Sequence, residues 1–334
     1  IVALLGMSFS DPRVALAPVV WGALAVAFGS ATQDIALDAF RIESAAVERQ
    51  AALAATYQTG YRLAMIWSGA GALWIAARAE VPTGLAADSY QHGAWQIAYW
   101  VMAASMLPGM LTVLYSPEPA QRDLAPASSL AAWLRGALVD PFAEFIGRYR
   151  WHAVLILALI ATYRISDVVM GIMANPFYVD MGFSKDEVAA VTKIYGVLMT
   201  LAGAFLGGAL ALRLGVMWVM MLGAASSAAT NLLFAWLAGI GHNLTALIFV
   251  VSADNLASGI ASAGFIAYLS SLTNVSYSAT QYALFSSLML LLPKFVAGYS
   301  GVYVDHFGYA NFFTATSLLG APVLLLVWLA ARRK

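Results

Sequence analysis

The stretch from Val14 to Glu43, VALAPVVWGALAVAFGSATQDIALDAFRIE, decides the fold. Up to Gln33 it carries no charge, and a helix of about 20 residues at about 1.5 Å each crosses the hydrocarbon of a bilayer. Asp34, Asp38, Arg41 and Glu43 follow at once. Asp34 therefore falls near a membrane edge and not at the midplane. Ser30, Asp34, Asp38 and Arg41 recur at spacings of four, four and three, so they share one helix face, and Asp38 and Arg41 are placed to pair. Gln33, Asp34, Asp38 and Arg41 are the candidate gating residues, expected to latch onto basic residues that precede this sequence. A structural ion pair at a helix end is the competing reading.

The rest of the chain repeats the apolar part of this pattern. Of 334 residues, 62% are hydrophobic and 10% charged, against roughly 45–50% and about 25% in a soluble domain. Apolar runs follow one another at about 14–40, 50–78, 94–115, 151–179, 187–212, 215–239, 244–272, 278–304 and 309–331. All are expected to be helices, because lipid offers no partner to an open strand edge. The opening IVALLG is too short to span and reads as the end of a helix that begins earlier. The absence of cysteine excludes disulfides and thiolate chemistry, and the zero net charge argues against nucleic acid.

Lys and Arg set the expected orientation. Arg41, Arg49, Arg122, Arg135, Arg148, Arg150, Arg213, Arg332, Arg333 and Lys334 fall on one side, and only Arg13, Arg78 and Lys185 on the other. The first side, with the C-terminus, is expected to be cytoplasmic. A long connection over 116–150 contains Pro117, Pro119, Pro126 and Pro141, and its SSLAAWLRGALVDPFAEFIGR can form an amphipathic surface helix. It divides a truncated N-terminal helical half, 1–115, from a six-helix C-terminal half, 151–334. The chain is expected to be an all-α polytopic protein whose first helices precede this sequence; with them it would have the six-plus-six arrangement of the major facilitator superfamily. GGALALRLG (207–215) resembles a degenerate copy of that superfamily's cytoplasmic loop signature, and GVYVDHFGY (301–309) is similar to its turn before the last helix.

Arg62, Arg164, Asp167, Lys193, Asp254 and Lys294 lie inside expected spans. A charge there costs about 2.5–3.5 kcal/mol on insertion scales, so it faces a partner or a wet cavity. Arg164 and Asp167, three apart, can pair; the cations still outnumber the anions. That excess suits a substrate bearing carboxylate or phosphate, while pairing with acids of preceding helices is the alternative. Tyr57, Tyr61 and Tyr163 lie beside these arginines, either to stack on a sugar or, more commonly, to pack helices. Small residues in ADNLASGIASAG (253–264) serve close packing, which leaves Asp254 and Asn255 to be explained. His92, His152, His242 and His306 have no metal-binding spacing, and neither a nucleophile turn nor a phosphate loop occurs, so no enzyme, cofactor or metal is expected. Energy then comes from an ion gradient, with the proton as coupling ion and Asp167 and Asp254 as its candidate carriers.

SATQDIALDAF (30–40), GYRLAM (60–65) with Ser68-Gly69 and ALW (72–74), YRISD (163–167), Gly182-Phe183 with VTKIYG (191–196), Asn255-Leu256 with Gly259, and SATQYAL (278–284) together resemble the AmpG-type muropeptide permeases. The resemblance implies proton-driven import of anionic glycopeptides, the anhydromuropeptides of wall turnover, across a bacterial inner membrane by a monomer contacting only lipid and small molecule. On it, Arg62, Tyr61, Tyr57, Arg164, Tyr163, Lys193, Asn255 and Lys294 are the substrate-binding candidates. Pro293-Lys294 departs from the Gly-Arg expected there, and Lys lacks the bidentate contact of Arg. Transport of acetyl-CoA or another organic anion, a membrane-embedded transferase and a non-transporting sensor are the alternatives.

Overall fold

The computed structural model describes residues 1–46, 49–80, 90–119 and 129–332, with all their side chains but those of Trp133, Leu138, Lys185, Asp186, Lys193 and Ile194. Among the described residues there is no strand. The helices are α1 (Val2–Ser8), α2 (Leu16–Glu43), α3 (Gln50–Ile66), α4 (Ala72–Ala79), α5 (His92–Ala104), α6 (Leu107–Tyr115), α7 (Leu130–Leu134), α8 (Asp140–Tyr149) and α9 (His152–Thr162). After these come α10 (Ile165–Asp180), α11 (Lys185–Ala190), α12 (Val197–Leu214), α13 (Val216–Ile240), α14 (Leu244–Leu272), α15 (Ser278–Ala297), α16 (Ser300–Leu318) and α17 (Gly320–Ala331). Among the described residues, 8 helical segments are long and apolar enough to cross a membrane.

Several expected spans differ from simple rods, and four of them show why. The 50–78 span is α3 and α4 joined by a π-helical turn, Trp67–Gly71, where Ser68, Gly69 and Gly71 let the backbone widen. The 151–179 span breaks at Tyr163-Arg164, between α9 and α10. The 278–304 span ends at Ala297, four residues after Pro293, whose ring nitrogen has no proton for the helix ladder. The last span is α16 and α17, and α16 is itself kinked at Gly308, whose φ of 75° favours glycine.

The chain forms two compact units, Ile1–Leu37 with Gly60–Arg122 and Asp38–Thr59 with Asp123–Lys334. These boundaries differ from the sequence division at 115 and 150, because the end of α2 and the start of α3 belong with the later helices. In the first unit, indole N–H groups tie helices together: Trp100 donates to Ser8 Oγ (3.0 Å) and Trp67 to Ser105 Oγ (2.8 Å).

In the second unit α14 is the central helix, and backbone proximity fixes it. A Cβ on Gly203 of α12 would overlap the Leu256 carbonyl oxygen, and one on Gly259 would overlap the Thr200 carbonyl. On its other side, a Cβ on Gly223 of α13 would lie 2.5 Å from Ala261 Cα. Lipid is as apolar as a leucine side chain, so close van der Waals packing holds such helices together. An aromatic cluster completes the core, with the Phe177 and Phe313 rings edge to face at 5.0 Å and Phe234 at 5.3 Å from Phe313.

Candidate functional site

The break in the α9–α10 segment builds the site. Arg164 leaves helical geometry (φ −94°, ψ 7°), and Asp167 then falls in the first turn of α10, where a carboxylate is favoured by the helix dipole. About 12 residues separate Arg164 from the start of α9, which places it some 18 Å along the axis, near mid-membrane. Its guanidinium donates to Asp167 Oδ2 at 2.5 Å and to Ser262 Oγ at 2.8 Å. Ser258 Oγ reaches the same Asp167 oxygen at 3.4 Å. Neither partner is sealed in: Arg164 is 23% exposed and Asp167 13%.

Asp254, Ser258 and Ser262 stand four residues apart on α14 and so form one stripe. Thr230 of α13 donates to Asp254 Oδ1 at 3.1 Å, and no cation pairs with Asp254 among the described residues. The site is thus one ion pair and, among the described residues, one carboxylate without a cation partner, each with its own hydroxyl contacts. Ser258, Ser262 and Thr230 were not among the sequence candidates. The signal was the four-residue spacing inside the small-residue run: Gly259, Ala261 and Gly264 do pack, while the two serines face the charges.

The other candidates fall elsewhere. Tyr163 is buried, donates to the Met220 carbonyl (3.0 Å) and stacks on Phe265, which makes it a packing residue here. Asn255 accepts from Thr200 Oγ1 (2.8 Å) and donates to the Val251 carbonyl (2.9 Å), joining α14 to α12. Lys294 is exposed, and the side chain of Lys193 lies outside the described residues. In the first unit Tyr61 is exposed and Arg62 half-buried, with a buried Nε that has no partner among the described residues.

A second polar cluster surrounds Arg41, which is 7% exposed. It pairs with Asp38 (3.3 Å), as the spacing predicts, and donates to Gln50 Oε1 (3.2 Å) and Ser270 Oγ (3.0 Å). The ring of Tyr282 lies 5.1 Å from its guanidinium carbon and that of Tyr57 5.9 Å. Buried Gln50 donates to the carbonyls that end α2, those of Arg41, Ile42 and Ala45. Glu43 accepts from Ser278 of α15. The end of α2 is thus tied to α14 and α15. Gln33 and Asp34 are exposed in the first unit and take no part in it. Tyr57, expected beside Arg62, lies with Arg41 in this cluster.

Three interactions tie the opposite helix ends of the second unit. Ser184 and Glu187 form a reciprocal cap on α11, His242 meets Glu187 at 3.3 Å, and Tyr309 donates to Asp180 at 2.6 Å. Hydrogen bonds from Ser184 hold the Glu187 carboxyl below its ordinary value.

The chain is 31% identical over 328 residues to transporter AmpG 4 of Rickettsia felis, covering 98% of the chain and 76% of the relative. It is 33% identical over 329 residues to the anhydromuropeptide permease of Escherichia coli K12, covering 98% of the chain but 63% of that protein. No family model matches. Among solved structures, the Escherichia coli fucose:proton symporter superposes with a TM-score of 0.73 at 15% identity, covering 98% of the chain and 81% of that structure. The xylose symporter XylE gives 0.73 at 13%, covering 98% and 77%. The fold is that of the major facilitator superfamily, and the chain, a multi-pass membrane protein, belongs to the AmpG family of transporters.

Proposed function

We propose that this protein imports anhydromuropeptides by proton symport across a bacterial inner membrane, as a monomer, with its arginine-rich helix ends in the cytoplasm. The observation that carries the reading is the Arg164–Asp167 pair at a helix break in mid-membrane, beside the unpaired Asp254. Broken helices commonly form the substrate and coupling-ion sites of secondary transporters. The substrate class comes from the name of the Escherichia coli relative.

The chemistry is a competition for one guanidinium. Arg164 offers a planar fork that a peptide carboxylate of the substrate can take bidentately. Asp167 then loses its cation, and a proton taken by it or by Asp254 keeps the charge of the site unchanged. Proton entry and substrate entry are thereby linked. Arg62, Lys193 and Lys294 remain candidates for further anionic groups of the substrate. Arg41, held by Asp38, Gln50, Ser270 and Tyr282, acts as the latch of the closed cytoplasmic end and is released when the transporter opens inward.

Asp254→Asn tests the coupling. In proteoliposomes the variant exchanges internal for external substrate but does not accumulate it when a pH gradient is imposed. Uphill accumulation at the wild-type level removes Asp254 from the proton path.

A further inference from the structure

Asn231 on α13 is fully buried and bonds to none of Arg164, Asp167 and Asp254 among the described residues. Its Nδ2 shares two protons among Ser166 Oγ (2.9 Å), Thr316 Oγ1 (3.1 Å) and the Ser166 carbonyl (3.3 Å). Ser166 and Thr316 are buried as well. Ser166 is the second residue of α10 and stands in the chain between Arg164 and Asp167. Thr316 lies in the last turn of α16, just before the junction with α17 at Leu319. One amide thus grips two membrane segments, each close to the point where its helix is interrupted.

The protons settle which way the amide faces. The Ser166 hydroxyl donates its one proton to the Thr316 carbonyl (2.8 Å), and the Thr316 hydroxyl donates to the Phe313 carbonyl (2.9 Å). Both oxygens can then only accept, so they take the nitrogen side of Asn231. Its Oδ1 is left buried with no partner among the described residues. A buried acceptor without a donor lowers stability, and an apolar side chain of like shape removes that penalty. Packing alone therefore does not account for an asparagine at this position.

Thr230, the residue before it, points about 100° away around the helix and donates to Asp254 Oδ1 at 3.1 Å. Two consecutive residues of α13 thereby serve both parts of the site. Thr230 holds Asp254 directly, and Asn231 holds the chain that carries Arg164 and Asp167. The surroundings are tight: a Cβ on Gly320 would lie 2.7 Å from Ala228 Cβ, so α17 closes against α13 beside the amide. We infer that Asn231 is a positioning residue for Arg164 and Asp167. By clamping Ser166 it holds the α9–α10 break, and so sets how the guanidinium meets a carboxylate. The inference rests on the reading of Arg164 as the group that binds the substrate's carboxylate.

The test uses the full-length transporter with Asn231→Leu, Ser166→Ala and both together. In proteoliposomes taking up radiolabelled N-acetylglucosaminyl-anhydromuramyl-tripeptide, Asn231→Leu should raise KM about fivefold, the worth of one net hydrogen bond, and leave the maximal rate unchanged. Ser166→Ala, which only shortens a side chain, reads the same contact from its other side and should raise KM at least as much. The double variant should be no worse than Ser166→Ala alone, because the two residues act through one contact. In detergent Asn231→Leu should melt at or above the wild-type temperature, since the unpartnered carbonyl is gone. Amide hydrogen exchange over 163–170 should quicken in each variant. That measurement involves no substrate, so it decides the hold on the break whether or not the glycopeptide is what the protein carries. A wild-type KM in both single variants, or additive effects in the double variant, overturns the inference. So does a lower melting temperature of Asn231→Leu with uptake falling in proportion, or unchanged exchange over 163–170.

Discussion

A guanidinium in the middle of a membrane helix needs both a counter-charge and a reason to be there. Asp167 supplies the first at 2.5 Å, and the break at residue 164 supplies the second by opening the helix where the pair sits. A hydrogen bond to a charged group contributes about 1.5–3 kcal/mol, or roughly a 10- to 150-fold change in an equilibrium. Arg164→Ala in the full-length transporter is therefore expected to lower substrate affinity by about two orders of magnitude. Arg164→Lys keeps the charge but loses the fork, so it falls between wild type and Arg164→Ala. Both should insert normally, as membrane-fraction blots would show; wild-type uptake by Arg164→Ala would remove it from the site. The pair was legible from a spacing of three. Tyr163 was not, because sequence adjacency to Arg164 says nothing of direction: its ring turns to Phe265 and its hydroxyl to Met220.

At the scale of elements, α14 contributes to both polar clusters, from different faces. Asp254, Ser258 and Ser262 serve the central site, and Ser270, two further four-residue steps along, accepts from Arg41. The glycines that bring α12 and α13 against it leave little room for it to shift relative to them, so the two clusters move as one piece. Arg41 should then hold Ser278, 5% exposed and bonded to Glu43, away from solvent. With no cysteine in these 334 residues, Ser278→Cys is a clean reporter. Its maleimide labelling should be slow in an otherwise wild-type background and about tenfold faster with Arg41→Ala, in line with the loss of about 1.5 kcal/mol for one charged hydrogen bond. Equal labelling rates would deny Arg41 the latch. The sequence showed the Asp38–Arg41 stripe but not its partners, since Ser270 and Tyr282 lie more than two hundred residues away. The helix breaks were hidden for a related reason. Pro293 announces one, whereas nothing in YRIS separates a break from a continuous helix.

For the whole molecule, composition settled the solvent before any residue was read, because 62% hydrophobic against 10% charged residues leaves only lipid as surroundings. Local strings carried the family: SATQDIALDAF and YRISD are specific, and relatives at 31% and 33% identity agree. Association of 38–59 with the later helices was not legible, since it depends on Gln50, a residue of no sequence distinction that closes the end of α2 with its amide. The central claim is that a proton gradient drives a glycopeptide through this protein. Its most direct test is uptake of radiolabelled N-acetylglucosaminyl-anhydromuramyl-tripeptide by proteoliposomes of the full-length transporter. An inward proton gradient should concentrate the label inside, and a protonophore should abolish the accumulation. Equal internal and external label with the gradient imposed would contradict the account.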